Sequence, residues 1–249
     1  MITAACIDNL MNQGWPAAHS TELDGWLVRR NDGVTLRANS VLPAGAPFDL
    51  GKALDYVETL YQAHGIRPSF QISPAAQPTD LDAQLEARGY EVRNPTLVQC
   101  AEIADVLAKL PEPDADVNIS SVPSDRWMKC WWAVDGRGGG PAEQASAQQI
   151  LERGRALYAV LPGDAEDAKA IGRLALVDDW AGLYCLAVDE AFRRQGLAHA
   201  VIRALLQEAT HRGVERVFLC VVEANTPARA LYERLGFRTV SQYHYRVRA

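Results

Sequence analysis

The amino-acid sequence predicts an α/β (α+β) fold built from two similar halves. Helical and strand-like segments alternate along most of the 249 residues. Each half ends in the same order, with a helix, a strand, a short helix, a Gly–aromatic pair and a strand. When Gly89-Tyr90 is aligned with Gly236-Phe237, Leu85 falls on Tyr232. We interpret this as a diverged tandem duplication; the alternative is a helix C-cap glycine followed by a strand, which is a common arrangement.

Composition and charge exclude several classes of protein. Hydrophobic residues make up 48% and charged residues 22% of the chain, which excludes wholesale disorder. No run of about 18 apolar residues and no signal segment occurs, so we expect a soluble, cytoplasmic protein. The net charge of −6 disfavours general binding to nucleic acid. The cysteines never form a C-x-x-C pair and the histidines lack H-E-x-x-H spacing, so neither a disulfide framework nor a metal site is expected.

The N-terminal half begins with a predicted hairpin over residues 24–41. Its strand-prone runs flank Asn31-Asp32-Gly33, a favourable hairpin turn. Apolar residues at three- and four-residue spacing then predict a helix over 49–64, which Gly65 would end. The remaining predicted elements of this half are a strand at 69–73, a short helix at 79–88 and a strand at 96–102.

The C-terminal half follows a predicted linker at 110–116, a Pro-rich segment that breaks every period. Its strongest element is an amphipathic helix at 196–211, with Leu197, Val201 and Leu205 on one stripe. The other predicted elements are helices at 125–134, 143–153 and 226–235 and strands at 156–161, 170–177, 182–188, 216–222 and 239–247.

The most informative stretch joins the strand at 182–188 to the helix at 196–211. It reads Arg193-Arg194-Gln195-Gly196-Leu197-Ala198-His199, so a helix begins at a glycine soon after a strand ends. Unpaired backbone N–H groups at the positive end of a helix suit a phosphate, and Gly196 lets the backbone approach a bulky diphosphate. The alternative is an ordinary strand–helix junction with two solvated arginines.

Two motifs together resemble the GNAT superfamily of N-acetyltransferases. Arg193-Arg194-Gln195-Gly196-Leu197-Ala198 is similar to the acyl-CoA-binding signature Q/R-x-x-G-x-G/A of that family. Asn225-Thr226-Pro227-Ala228-Arg229-Ala230-Leu231-Tyr232-Glu233-Arg234-Leu235-Gly236-Phe237 resembles its second signature, N-x-x-A-x-x-L-Y-x-x-x-G-F. The resemblance covers residues 117–249. It implies two tandem GNAT-like domains, each a mixed, mostly antiparallel sheet flanked by helices.

The resemblance also implies where acetyl-CoA would bind. Its pantetheine arm would lie along Leu186, Ala187 and Val188 as an added strand, where the paired strands of the family splay apart. The pyrophosphate would sit on the backbone N–H groups of residues 194–199, and Asn225 would steady the pantetheine. Acetyl-CoA is expected as cosubstrate and no metal is expected. The implied cofactor-binding residues are Leu186, Ala187, Val188, Arg193, Arg194, Gln195, Gly196, Leu197, Ala198, His199, Asn225 and Tyr232.

Direct transfer needs a base for the acceptor amine, a donor for the thioester carbonyl and an acid for the departing thiolate. Tyr232 stands at the usual position of the acid in the family, with aromatic packing as the alternative. The backbone at Val188 is the expected carbonyl donor. Glu223 is the candidate base or else a solvated strand end, and Tyr184 and a water chain are further options.

The N-terminal copy lacks this equipment. Its loop at 42–48 contains no arginine and no Q/R-x-x-G-x-G/A motif, Leu85 replaces Tyr232, and Pro78 replaces Asn225. We expect it to be structural or to shape the acceptor cleft. Acceptor specificity is expected from a segment that contains Trp127, Trp131, Trp132, Asp135 and Arg137. For the first two tryptophans a buried helix face is the favoured alternative.

The sequence therefore predicts a degenerate GNAT-like domain at 1–109, a linker at 110–116 and a catalytic GNAT domain at 117–249. The predicted function is transfer of an acetyl group from acetyl-CoA to a primary amine on a small molecule, peptide or protein. A non-catalytic acyl-CoA-binding regulatory module is the alternative. We expect a monomer or a homodimer, without nucleic-acid or membrane partners.

Overall fold

The computed structural model describes residues 2–112, 116–135, 139–164 and 166–249, with only the backbone of residue 135. Its N-terminal elements are α1 (Ala4–Gly14), β1 (His19–Leu23), β2 (Trp26–Arg30), β3 (Val41–Pro43), α2 (Leu50–Ala63), β4 (Ser69–Ile72), α3 (Leu81–Ala87), β5 (Tyr90–Glu102) and α4 (Ile103–Lys109). The elements that follow are β6 (Asn118–Ser120), α5 (Asp125–Asp135), α6 (Pro141–Glu152), β7 (Ala156–Pro162), β8 (Ala168–Val177), β9 (Trp180–Val188), α7 (Leu197–His211), β10 (Arg216–Val222), α8 (Thr226–Arg234) and β11 (Arg238–Arg248).

The described residues form two compact units. The first contains residues 2–98 together with Val221–Asn225 and Thr239–Ala249. The second contains Gln99–Cys220 and Thr226–Arg238. The predicted division into a domain at 1–109, a linker at 110–116 and a domain at 117–249 stays a prediction. Residues 113–115 of that linker lie outside the described residues.

The sheet of the first unit has the order β1-β2-β3-β4-β11, with β5 beside β11. β1 with β2, β2 with β3, and β4 with β11 are antiparallel pairs, whereas β3 and β4 run parallel. Trp26, Phe70 and Tyr90 meet edge to face in its core, and α2 covers them with Leu54, Val57 and Tyr61. Burial of these large apolar side chains is the main source of this unit's stability.

The hairpin of the first unit forms one segment earlier than predicted. β1 and β2 turn at Asp24-Gly25, where both residues have positive φ. Asn31-Asp32-Gly33 instead begins a loop whose backbone surrounds the buried side-chain amide of Asn39. That amide accepts from the backbone N–H of Asn31 (2.7 Å) and Gly33 (3.0 Å) and donates to three carbonyls of the loop. Because one side chain satisfies these groups, the strand predicted from residue 34 onward is wrong.

Helix α1 precedes the first element that we predict. Its N-cap is Thr3, whose hydroxyl accepts from the backbone N–H of Cys6 at 3.2 Å. Ile7, Leu10 and Met11 are buried on one face. Their helical spacing is visible in the sequence but spans little more than one turn, which is too short to stand out.

The sheet of the second unit has the order β10-β9-β8-β7-β6. β9 and β10 are parallel and the remaining neighbours are antiparallel. Helix α7 packs closely on β8, because a Cβ atom on Gly172 would come within 2.8 Å of Val201 Cγ1. The indole of Trp127 on α5 is buried and donates to the Gly172 carbonyl at 3.0 Å.

Both halves end with the same backbone turn. Gly89 and Gly236 have φ angles of 84° and 95° after α3 and α8, and the aromatic residue that follows each is buried. Each unit also contains a parallel strand pair joined by a long helix, with antiparallel strands beside it. The predicted fold class, with mixed and mostly antiparallel sheets flanked by helices, is confirmed. None of the helices in the described part of the chain combines the length and hydrophobicity that a membrane span requires.

Candidate active site

Strand β9 carries an irregularity directly before the predicted cofactor-binding residues. Ile171 of β8 pairs with Ala187, but Arg173 pairs with Tyr184, so β9 contains one extra residue. Cys185 adopts φ 50° within this bulge. A bulge of this kind bends a strand and redirects the residues beyond it, and bulges are over-represented next to active sites.

The edge of β9 that faces β10 is open beyond the bulge. The parallel pairing joins residues 180–183 to 216–219, and in the described part of the second unit it ends there. Leu186, Ala187 and Val188 lie in the unpaired stretch, and the Val188 carbonyl accepts from Arg193 Nε at 3.3 Å. An open strand edge is a template for an extended partner that pairs through backbone hydrogen bonds.

The turn between β9 and α7 presents unpaired backbone N–H groups. Asp189 caps a short 3-10 turn at Glu190–Phe192, and α7 then starts at its N-cap, Gly196. No N–H group of residues 194–198 donates a hydrogen bond within the described part of the chain, and Gly196 supplies no capping side chain. These amides point from the positive end of a 15-residue helix, which suits an anion.

Backbone conformation and charge support the same interpretation of this turn. Arg194 and Gly196 have φ angles of 62° and 77°, and alternation of right- and left-handed residues forms anion-binding nests. Arg193, Arg194 and Gln195 are exposed, whereas Leu197, Ala198 and His199 are half-buried in the first turn of α7. A non-glycine residue at positive φ is uncommon and occurs preferentially at functional sites.

Tyr232 lies on α8 in the second unit. Its ring meets Phe237 edge to face at a centroid distance of 5.7 Å, and its carbonyl accepts from the Phe237 N–H at 3.0 Å. Desolvation raises the pKa of Tyr232 to about 12. The phenol therefore keeps its proton throughout the physiological pH range.

Glu223 and Asn225 belong to the first unit. Both are exposed and follow the end of β10, where the Glu223 N–H donates to the Pro95 carbonyl at 2.8 Å and the Asn225 N–H to Val222 at 2.8 Å. Glu223 lines a cavity of about 350 Å³ within this unit. The predicted site residues are thus divided between the units, with the strand, the turn and Tyr232 in the second.

Sequence reasoning missed His244 and Asp82 as site residues. His244 lines the same cavity as Glu223, and its Nε2 lies 2.8 Å from Asp82 Oδ1. The two residues are 162 positions apart and stand in no motif, so only the pairing of β4 with β11 brings them together.

Two of the predicted acceptor-binding tryptophans are core residues. Trp127 and Trp131 stack at 5.9 Å and are 0% and 3% exposed, as the buried alternative for them required. The side chain of Asp135 and the whole of Arg137 lie outside the described residues. Among the described residues, no group of three or more His, Cys, Asp and Glu side chains is arranged to hold a metal ion.

Comparison with known proteins identifies the family of the chain. The family model "Probable histone acetyltransferase Rv0428c C-terminal" matches residues 6–248. The "Uncharacterized N-acetyltransferase YobR" of Bacillus subtilis (strain 168) is 30% identical over 246 residues, which are 97% of each chain.

Two solved structures share the fold. A GCN5-related N-acetyltransferase from Kribbella flavida has a TM-score of 0.70 at 19% identity and covers 100% of this chain and 96% of its own. A tandem GNAT protein from the clavulanic acid biosynthesis pathway has a TM-score of 0.61 at 18% identity and covers 78% of this chain and 68% of its own. The chain belongs to the family of the matching model, and with it to the GNAT-type N-acetyltransferases.

Proposed function

We propose that the protein transfers an acetyl group from acetyl-CoA directly to a primary amine. The observation that carries this proposal is the row of unpaired backbone N–H groups at residues 194–198, placed at the start of α7 after a bulged strand. This combination offers an anion site and an open strand edge within one unit. Both features suit a ligand that has a diphosphate at one end and an amide-bearing arm at the other.

The donor would be held by the two features together. The free edge of Leu186, Ala187 and Val188 would pair with the amides of the pantetheine arm, and the N–H groups of residues 194–198 would bind the diphosphate. Arg193 and Arg194 add positive charge in a chain whose net charge is −6. Asn225 would steady the pantetheine through its side-chain amide.

The acceptor must lose a proton before it can attack. An aliphatic amine has a pKa of about 10.4, so neutralising it at pH 7 costs about 4.6 kcal/mol. Glu223 is our candidate to receive this proton, since its carboxylate lines a cavity that can hold the acceptor. The amine nitrogen then forms a bond to the thioester carbon, and the backbone N–H at Val188 would stabilise the negative carbonyl oxygen.

Departure of the thiolate completes the transfer. The carbon–sulfur bond breaks as the amide forms, and the sulfur leaves with the bonding electron pair. Tyr232 is our candidate to donate a proton to that sulfur, because its raised pKa keeps the phenol protonated. The new amide nitrogen loses a second proton to solvent, Glu223 releases the first, and the phenol regains the one it donated, so one proton is released net for each ammonium consumed.

A free-thiol release assay with acetyl-CoA and a library of amines tests this function. We expect thiol release that depends on the amine and an acetylated product in the mass spectrum. Tyr232→Phe should lower kcat about 100-fold while the Kd for CoA changes less than twofold, because the ring packing is kept.

The alternative is an acyl-CoA-binding regulatory module without turnover. It predicts CoA binding by calorimetry, no thiol release above the blank with any amine, and no effect of Tyr232→Phe. Absence of CoA binding at millimolar concentration would refute both functions.

A further inference from the structure

The cavity beside Glu223 has the size of a small-ligand site. Its volume of about 350 Å³ lies within the usual range for such sites. It is enclosed by the ends of β4 and β10 and by parts of β5 and β11, all within the first unit. The residues that line it are Ile72, Ser73, Pro74, Val92, Pro95, Thr96, Leu97, Glu223, Gln242, Tyr243 and His244.

Two hydroxyl groups of the cavity present acceptors to a ligand. Ser73 Oγ donates its proton to Asp8 Oδ2 at 2.5 Å, and Thr96 Oγ1 donates to the Asn94 carbonyl at 2.7 Å. A hydroxyl has a single proton and two lone pairs. Ser73 Oγ also accepts from the Ala75 N–H at 3.1 Å, which leaves it one lone pair for a ligand. With their protons engaged in these bonds, both groups can only accept from a bound molecule.

His244 is held in a fixed orientation by Asp82. Arg246 contacts both oxygens of Asp82, at 2.7 and 3.2 Å, and with His244 it holds the pKa of this carboxyl below its usual range. An ionised carboxylate only accepts, so His244 Nε2 carries the proton in the 2.8 Å contact with Asp82. Nδ1 makes no hydrogen bond within the described part of the chain, and in the neutral ring it is an acceptor.

The charge and polarity of the lining favour a cation. Glu223 contributes a carboxylate, and none of the described residues that line the cavity is Lys or Arg. Ile72, Val92 and Leu97 supply an apolar wall, and the buried ring of Tyr243 adds an aromatic surface. A ligand with several N–H donors at one end and an apolar stem matches this distribution.

We propose that this cavity recognises the acceptor as an ammonium group on an apolar stem, with Glu223 and His244 Nδ1 accepting its N–H groups. Asp82 acts as a positioning residue through His244. This assignment rests on the proposed acetyl transfer, whose acceptor is a primary amine. The same ammonium chemistry is available from a free alkylamine and from a lysine side chain.

Binding measured without acetyl-CoA tests recognition separately from catalysis. The probes are n-pentylamine, as a free amine, and Nα-acetyl-lysine N-methylamide, as a lysine side chain, with valerate as the anionic control. We expect calorimetry to detect at least one of the amines and not valerate. Loss of a hydrogen bond to a charged group should raise the Kd of that amine about tenfold in Glu223→Gln and in His244→Gln.

The variants are chosen to preserve the surrounding structure. Gln at position 244 can still donate to Asp82 from its amide but lacks the Nδ1 acceptor. Glu91→Gln is the matched control, because Glu91 lies on β5 next to Val92, pairs with Arg93 and does not line the cavity. It should leave the Kd unchanged. Glu223 is exposed, so its variant keeps the test valid if His244→Gln fails to fold.

The outcomes separate this inference from the proposed function. Thiol release with an amine whose KM is the same in wild type and in both cavity variants would overturn the inference and leave acetyl transfer standing. Amine binding that depends on Glu223 and His244, without thiol release, would support the recognition and contradict the transfer. Equal binding of amines and valerate, or binding of neither amine, would overturn the inference.

Discussion

Helices α2 and α7 hold matching places in the two halves, yet they begin in opposite ways. Each joins two parallel strands, β3 to β4 and β9 to β10. At the start of α2, Asp49 caps the helix and accepts from the Lys52 N–H at 3.1 Å, and its carboxylate also pairs with Lys52 Nζ at 3.0 Å. At the start of α7, Gly196 offers no side chain. A helix terminus can bind an external anion only where the protein has not supplied one itself.

The gap between the parallel strands differs as well. In the first half, the Gln77 N–H donates to the Pro43 carbonyl of β3 at 2.9 Å, and the Gln77 carbonyl accepts from the indole of Trp26. The segment after β4 thus fills the position where the second half leaves the edge of β9 open. Leu85, which aligns with Tyr232, is fully buried. These differences support our expectation that the N-terminal half is structural or shapes the acceptor cleft.

Replacing the glycine N-cap of α7 with an aspartate, as in α2, should have the largest effect of the changes predicted here. Gly196→Asp places a carboxylate where the diphosphate would sit, and repulsion together with loss of free N–H groups should weaken CoA binding at least about 100-fold. Isothermal titration calorimetry measures this. Gly213→Asp at the other end of α7 is the control, because both glycines have positive φ (77° and 79°) and open space around them. Equal affinities in the two variants would contradict the proposed site.

Each half contains a buried arginine, and the two arginines differ in the groups that surround them. Arg29 on β2 is close enough to Asp8 to interact electrostatically, whereas Arg173 on β8 donates to Tyr158 Oη at 3.2 Å. Burial raises the pKa of Asp8 from 3.8 to about 6, despite the opposing effects of Ser73 and Arg29. The folded state therefore binds this proton more tightly than the unfolded state does. The stability gained by protonation is present at low pH and is lost as the pH rises through 6.

Between pH 7 and pH 5 we expect Asp8 to contribute a rise of about 1.4 kcal/mol in the free energy of unfolding. Urea denaturation at both pH values measures it. Asp8→Asn should remove this rise, whereas Asp105→Asn at an exposed position should retain it. The same pH dependence in wild type and Asp8→Asn would contradict the assignment.

Removing the N-cap side chain of α2 should have the smallest effect of the changes predicted here. Asp49→Ala removes the cap and should lower the free energy of unfolding by about 1 kcal/mol. Lys52→Ala keeps the cap and removes only an exposed ion pair, so its effect should stay below about 0.5 kcal/mol. Neither variant should change the affinity for CoA. A second CoA site in Asp49→Ala would show that the Asp49 cap alone prevents the start of α2 from binding CoA.

Local sequence signals predicted the C-terminal half well. The periodicity around Leu197, Val201 and Leu205 and the glycine before it located α7 to within one residue. The loop around Asn39 was not predictable in this way, because its conformation depends on one side chain that satisfies distant backbone groups. The bulge at Cys185 has no propensity signal either. It depends on how β9 pairs with β8.

The candidate site shows the same limit. Its proposed cofactor-binding residues lie in two sequence motifs, so the sequence alone was enough to predict them. The cavity is assembled from segments near Ile72, Thr96, Glu223 and His244, which only long-range strand pairing brings together. No local pattern reports such an arrangement.

The pairing of β4 with β11 has a consequence for folding during synthesis. Ile72 pairs with His244, which lies more than 170 positions later in the chain, so β4 is synthesised long before its partner strand. N-terminal domains commonly fold while the rest of the chain is still being synthesised. Here the sheet of the first unit cannot be completed until β11, at the end of the C-terminal half, has been synthesised. The N-terminal half can thus reach its native state only after nearly all of the C-terminal half has been synthesised.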